Sequence, residues 1–339
     1  MRFIRLRHRL RRVLSPCESP SHESDFFAWE KNIVPLATER ELVTHEHHKP
    51  NDYYGHATLL KRLVGQPLTH PLRLSIPHGL RFDSKLWEHD YRPNFPIGLV
   101  PGPFRASAIA SRVNARLVSV GPLIHYAPRA LTPAAHASAA ARLGRMLLVF
   151  PAHSTHHVES HFSEQDFITE ITARARNFDS VVVCLYWRDV LRGLDEPYRT
   201  AGFHVVTAGH IYDFAFLPRL SSMIELAAMT ISNRLGTHTG YCLHLGKPHH
   251  IHRQQVKIQI VHPEMVPVPG EMDEAARFDA LFGEYSEVIT PAQREIVEQY
   301  WGTSHVRTAA EMDALILDAE REFWRNHRAS HATSRVRIS

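Results

Sequence analysis

Ile231–Pro248 reads I-S-N-R-L-G-T-H-T-G-Y-C-L-H-L-G-K-P. An apolar strand, Met229–Asn233, runs out at Ser232 and Asn233, a glycine follows at Gly236, and Thr237 opens a short helix that Gly246 closes. K-P-H-H-I-H then starts another strand. A buried strand that turns on glycine into a helix and returns as a strand is the repeating unit of a parallel α/β sheet.

The same rhythm extends upstream. M-L-L-V-F-P (Met146–Pro151) is a continuous apolar run of the kind a strand buried on both faces requires. Glu164–Asn177 follows as an amphipathic helix with Phe167, Ile168, Ile171 and Ala175 on one side. S-V-V-V-C-L-Y (Ser180–Tyr186) and F-H-V-V-T-A-G (Phe203–Gly209) are further strands, and Leu217–Ala228 is a helix. Strands alternating with helices predict a doubly wound parallel sheet. Before it, L-R-L-S-I-P-H-G, F-P-I-G-L-V-P-G and A-R-L-V-S-V-G-P-L-I-H-Y each read as a strand entering a turn, and Tyr54–Val64 as a helix. The predicted organisation is a basic segment 1–24, a first α/β domain 25–135, a second one 136–270, helices over 271–325 and a basic tail 326–339. Pro128–Arg145 is read as the connection between the domains.

Bulk properties exclude several classes. The chain has 339 residues, 44% hydrophobic and 22% charged, with a formal net charge of +4. That is globular composition, and the length accommodates two cores. Positive charge concentrates at the ends, so no nucleic-acid-scale basic surface is expected in the body, and no nucleic-acid partner. Arg2, Arg5, Arg9 and Arg12 alternate with an apolar face of Phe3, Leu6, Leu10, Val13 and Leu14. Such a segment either lies on anionic lipid or is a solvated terminus. No apolar run is long enough to span a membrane, and no secretory signal is expected. Cys17, Cys184 and Cys242 lie far apart, which fits a reducing cytoplasm. A cytoplasmic protein, peripheral at most on the inner membrane face, is the expectation.

F-P-A-H-S-T-H-H-V-E-S-H-F (Phe150–Phe162) tests for metal. His153, His157 and His161 share one face in helical register and could hold zinc with Glu159. The stretch leaves a buried strand, however, and carries neither H-E-x-x-H nor a cysteine pair, so a ligand-facing turn is the reading, with no metal. There Ser154 or Thr155 would cap the next helix or offer donors to an anion, and His153 and His156 would add hydrogen bonds or charge. At Gly236 the backbone can approach a phosphate, and the dipole of the helix from Thr237 favours one by ~0.3–2 kcal/mol. A threonine-capped helix with no ligand is the plain alternative. Gly209 and His210 end a strand on the same carboxyl edge, where they could meet a base or ribose. His78, past a strand in the first half, suits a general base or a solvent-exposed turn. Asp52, Tyr53 and His56 lead into a helix as acceptor contacts or as a cap.

Two unequal α/β halves, G-P-L-I-H-Y-A (Gly121–Ala127), and S-N-x-x-G-T-x-x-G followed by G-K-P together resemble a GT-B glycosyltransferase, most nearly the bacterial enzymes of capsule, lipopolysaccharide and exopolysaccharide assembly. The likeness is clearest from Ile76 to Ile251. It implies two Rossmann-like domains facing a deep cleft, with C-terminal helices, and sugar transfer from a nucleotide-activated donor to a glycan or lipid-linked acceptor. It also implies that Ser232, Asn233, Gly236, Thr237, His238, Thr239 and Gly240 hold the donor phosphates, with His153, Ser154 and Thr155 on the opposite lip. In such an enzyme His78, with Glu159 in reserve, would take the acceptor proton, and Arg188 or Lys247 would steady the departing phosphate. No D-x-D is present, the E-x-x-x-x-x-x-E pattern of many members is missing from the donor-side region, and no cofactor is expected. Nucleotide-sugar 2-epimerases share the fold but carry a G-T-R-P-E strand end that is missing here. A non-catalytic or zinc-stabilised binding module is the remaining alternative.

Overall fold

The computed structural model describes residues 23, 25–79, 81, 82, 84–86, 90–155, 158–260 and 271–336, without the side chains of 271–273 and 330–336. The amphipathic basic segment, Cys17, His156, His157, the proline-bearing stretch 261–270 and the last residues of the basic tail lie outside the described residues. Two compact units emerge, one from Leu42–Tyr126 with the described part of Glu298–Ser339, the other from the described part of Pro20–Glu41 with Ala127–Val297. Residues 25–41, expected with the first domain, thus group with the second. The helix Ala309–Val336, expected in a separate C-terminal layer and ending at Trp324, groups with the first and continues past that residue. No described helix is long and apolar enough to cross a membrane.

In the first unit β1 (Leu74–Ser75), β2 (Ile97–Val100) and β3 (Arg116–Ser119) form a parallel sheet in that order. These are the strands expected from the three apolar stretches, each shortened by its flanking proline or glycine. The outer edge of β1 is completed by a side chain. Asn51, fully buried, donates from Nδ2 to the Leu74 carbonyl at 2.9 Å and accepts the Ile76 amide at 2.8 Å, as a neighbouring strand would. Asn51 Nδ2 also meets Glu46, which pairs with buried Lys61. Burial raises the Glu46 pKa, while Lys61 pulls it back. Removing either partner would strand a charge out of water.

In the second unit β4 (Met146–Phe150), β6 (Ser180–Leu185), β7 (His204–Thr207), β8 (Ala227–Ser232) and β9 (His249–Ile251) form one parallel sheet. Its order is β7-β6-β4-β8-β9. In order of appearance within this sheet that is 3-2-1-4-5, the doubly wound Rossmann arrangement. The strands expected from the apolar runs are therefore present. Leu147, Val149, Val183, Val205, Met229 and Ile231 join one core, with Phe167 and Ile171 of the helix Glu164–Ala175 packed against them. Pro128–Arg145, expected as a connection, contains the helix Pro133–Leu143, capped by Thr132 Oγ1 accepting the Ala135 amide at 3.1 Å. A two-stranded antiparallel pair, β5 (Val158–His161) with β10 (Lys257–Ile260), was not expected. Its polar alternation suits an exposed edge rather than a core.

Gly302 ends the helix Pro291–Trp301 in left-handed geometry, φ 60°, and its amide returns to the Glu298 carbonyl at 2.9 Å. A Cβ there would lie 2.5 Å from the Pro101 carbonyl oxygen and 2.7 Å from Gly102 Cα. Gly302→Ala therefore combines the left-handed penalty with a backbone clash, and should cost about 1–3 kcal/mol, read as a lowered midpoint in urea with an unchanged m-value.

Candidate functional site

In a sheet of this order the chain winds away in both directions from the first strand, so the loops after β4 and β8 part and leave a crevice at their carboxyl ends. Phe150–Thr155 leaves β4 on one side, and Asn233–His238 leaves β8 on the other. His238 links them. Its ring stacks on Phe150, with centroids 4.7 Å apart and planes 24° apart. That ring occupies the space a side chain at position 236 would need, since a Cβ on Gly236 would fall 2.6 Å from the imidazole. Gly236 itself is extended, φ −154°. A side chain at 236 would have to displace His238, so glycine here leaves room for that ring.

His153 faces the same crevice and packs on Tyr186, at the end of β6, at 4.7 Å. Burial, with Arg234 adding, lowers its pKa to about 4. Burial, with His153 adding, lowers that of His238 to about 3. Both imidazoles are neutral near neutrality, so each offers one N–H donor and one acceptor; of the hydrogen bonds or charge expected of His153, the hydrogen bonds remain. Positive charge comes instead from exposed Arg234, which sequence reading passed over although it adjoins Asn233. Thr237 and His238 occupy the first turn of the eight-residue helix Thr237–His244, where amide groups have no carbonyl within the helix to reach. His238 Nε2 is sealed from solvent and meets no hydrogen-bond partner among the described residues. Gly236, Thr237, His238 and His153 are all half-buried.

Other expected phosphate contacts are spent inside the protein. Ser232 donates to the Arg234 carbonyl at 2.9 Å and meets His249 Nε2 at 3.0 Å. Thr230 bonds the other ring nitrogen of His249 at 2.8 Å, and Thr239 lies at 3.4 Å. His249 is thus a buried polar strut whose pKa burial drives well below the ordinary value. Asn233 accepts the Ala152 amide at 2.7 Å and donates to Gln254 at 3.0 Å. Ser232, Asn233, Thr239 and Gly240 hold the crevice in shape and are too buried to line it.

Ser154 caps no helix. It is 3% exposed, its Oγ accepts from Arg192 at 2.9 Å and from the Ser160 amide at 3.2 Å, and its own amide points to Asp189 at 3.5 Å. Thr155 turns the chain into β5, its amide reaching the Val158 carbonyl at 2.8 Å. Ser163 performs the capping, accepting the Asp166 amide at 3.2 Å. Because 158–161 is a strand, His153 and His161 do not share a helical face, and Glu159 pairs with His161 at 3.5 Å on the exposed β5 strand. Arg188 lies in the short helix after β6, its guanidinium 5.5 Å from the Trp187 ring.

Gly209 has φ +107°, and His210 is buried under the segment that precedes the first unit. His210 takes the Leu36 carbonyl through its amide at 3.0 Å, meets Glu39 at 3.3 Å and packs on Trp187 at 4.2 Å. Neither faces a ligand. Lys247 follows the far end of the helix that Thr237 begins, about 12 Å away along its axis, on the amino edge of the sheet where Glu225 acts on it. It cannot serve the phosphate that Thr237 would.

In the first unit the residues expected on the acceptor side do gather. His78, beyond β1, packs edge-on against Tyr53 at 4.9 Å. His56, buried beside it, has its pKa lowered to about 3 by burial, with His78 adding. Asp52 accepts the Thr44 hydroxyl. A separate cavity of ≈ 650 Å³ opens at the opposite edge of this sheet, lined by Arg73, Arg92, Phe95, Asn114 and Phe323 among others.

Fold and site together define an α/β protein of two Rossmann-like units, the second with a polar crevice at its switch point. No family model and no curated protein matches the chain. Among solved structures it is similar to S. aureus MnaA in a UDP co-structure, with 9% identity, a TM-score of 0.32, and 63% of this chain and 56% of that one covered. It is also similar to UDP-GlcNAc 2-epimerase from Neisseria meningitidis bound to UDP-GlcNAc, with 12% identity, a TM-score of 0.33, and 67% and 62% covered. The chain thus spans 56% and 62% of the lengths of these two structures.

Burial is the largest influence on Asp189 and raises its pKa to about 6 from 3.8, against the Ser154 hydrogen bonds and Arg192 and Arg188. Between those values the folded chain binds more protons than the unfolded one, so this group costs stability as pH rises through the window, by at most about 3 kcal/mol. Asp189→Asn should gain on the wild type in melting temperature between pH 4 and 7. A gap that stays constant over that range would show the carboxylate to be unstrained.

Proposed function

We propose that the chain is an enzyme acting on a nucleotide-activated sugar, whose phosphates are received between Phe150–Thr155 and Arg234–His238. The supporting observation is the adjacency of β4 and β8, which sets a helix start, two neutral imidazoles and a guanidinium around one crevice. A diphosphate accepts hydrogen bonds from all three kinds of donor. When the bond to the sugar breaks, negative charge grows on the phosphate, and dipoles already aimed there stabilise it without reorganising.

Two reactions use such a substrate. Glycosyl transfer breaks the bond between the sugar anomeric carbon and the phosphate oxygen, joins that carbon to an acceptor hydroxyl, and releases the nucleotide. The acceptor would be a glycan or lipid-linked sugar, and His78, packed on Tyr53, would take its proton. Epimerisation at C2 needs the nucleotide sugar alone, and it is the activity for which the Neisseria meningitidis enzyme is named. The donor-side crevice serves either.

UDP and UDP-GlcNAc are the first probes, followed by GDP, CDP, CMP and dTDP. A ligand at a hundred times its Kd should add about 2.7 kcal/mol to stability, a shift of several degrees in melting temperature. Arg234→Ala, on an exposed side chain, should weaken that ligand about tenfold or more. If no nucleotide shifts the melting curve at millimolar concentration, the reading fails.

Proton NMR of the sugar nucleotide then separates the reactions. A new C2 epimer without added acceptor means epimerisation. Nucleotide release only with acceptor present means transfer, and there His78→Ala should abolish turnover and leave nucleotide binding intact.

A further inference from the structure

Away from the crevice, Glu170 on the helix Glu164–Ala175 meets His250 in β9 and His252 just beyond it. One ligand-type atom from each lies within 4.8 Å of the other two. His252 Nδ1 is 3.8 Å from Glu170 Oε1.

His250 supplies the independent sign. It is 2% exposed, and its Nδ1 bonds the Phe282 carbonyl at 3.0 Å. A carbonyl only accepts, so Nδ1 carries the proton and Nε2 is left with a lone pair. That Nε2 is sealed from solvent and has no hydrogen-bond partner among the described residues. A buried imidazole held by a backbone carbonyl through one nitrogen, with the other bare, is how proteins present histidine to a metal. The rings of Tyr285, at 5.6 Å from His250, and Phe167, stacked at 6.0 Å on His252, fix both planes.

We propose that Glu170, His250 and His252 form a binding site for a divalent transition-metal ion, with water completing the coordination. Two imidazoles and a carboxylate suit zinc, cobalt or ferrous iron and disfavour calcium and magnesium, which take oxygen ligands. Donors around a tetrahedral ion with bonds of about 2.0–2.1 Å lie about 3.3 Å apart, so the observed spacings must contract by roughly 0.5 Å for the Glu170–His252 pair and by up to about 1.5 Å for the others. Glu170 and His252, with side chains 21% and 23% exposed, have room to move and open the site to solvent, while His250 stays fixed. Burial is the largest influence on His250 and lowers its pKa, which keeps it neutral as a ligand must be.

Arg174 is the competitor. Its Nε donates to Glu170 Oε1 at 2.7 Å, and its guanidinium lies 4.5 Å from the centre of the Tyr285 ring. Burial opposes ionisation of Glu170, but the Arg174 hydrogen bond and charge, with His252 and His250 adding, hold its pKa below the usual carboxylate value. An entering dication has to displace or outbid this guanidinium. Bound, it would clip the helix Glu164–Ala175 to the end of β9.

The test uses the full chain stripped with EDTA and titrated with zinc sulfate or cobalt chloride, bound metal being read by equilibrium dialysis and cobalt coordination by its visible spectrum. The wild type should bind one equivalent and melt at higher temperature with zinc. His252→Ala and Glu170→Gln, both at half-exposed side chains, should lose that equivalent or weaken it by more than about tenfold, and with it the thermal gain. Arg174→Met should bind more tightly than the wild type, which metal held by other histidines of the chain would not do. Equal binding by wild type and His252→Ala, or no stoichiometric binding to the wild type, overturns the proposal. None of these readouts depends on a reaction, so the outcome is independent of whether the nucleotide reading stands.

Discussion

β4 is the constraint from which the second unit follows. Each of its residues, Met146 to Phe150, is buried, and it is hydrogen-bonded in parallel to β6 on one side and β8 on the other. A strand paired on both edges and covered on both faces leaves the chain no choice but to leave it at the ends. The connection to β6 then winds one way and the return to β8 the other, and the loops after Phe150 and Ser232 are driven apart. The crevice is therefore a product of strand order, and its polar lining is whatever those two loops carry.

What was legible in the sequence was what local periodicity encodes. S-V-V-V-C-L and M-L-L-V-F announce strands because a doubly covered strand has no polar face, and the helix Glu164–Ala175 announces itself by its apolar stripe. β5 and β10 were not legible, because V-E-S-H and K-I-Q-I are only four residues each and each is a strand only through its distant partner. The same limit applied to the site. The carboxyl-edge placement of Gly236, Thr237 and His238 could be read from strand-then-helix order. That Ser154 is consumed by Arg192 and Ser160, or that Lys247 is carried to the opposite edge, depends on where a helix points and what lies beneath a loop.

Histidine was read unevenly. The run from His153 to His161 draws attention as a metal motif, but the intervening strand breaks its register, whereas His250 and His252, two apart at the end of β9, occur in an unremarkable strand. Alternation along a strand places such a pair on one face, and the carboxylate comes from a helix far away in sequence. Elsewhere burial keeps imidazoles uncharged. His56, His153, His238 and His249 all have pKa values lowered chiefly by burial, and His249 is bonded by the hydroxyls of Thr230 and Ser232.

The partition of the chain has a consequence for biosynthesis. The first unit draws on Leu42–Tyr126 and then on residues from Glu298 onward, with Ala127–Val297 of the second unit encoded between. Met312, Ile316 and Ala319 are fully buried members of the first unit, and a ribosome delivers them after Ala127–Val297 of the second. Synthesis proceeds from the amino end and domains fold as units, so the central body can close on the ribosome while the earlier-made sheet still waits for the helix Ala309–Val336. Until that helix arrives, β1–β3 expose the apolar surface it will cover, and a chain cut short before residue 309 would leave them so.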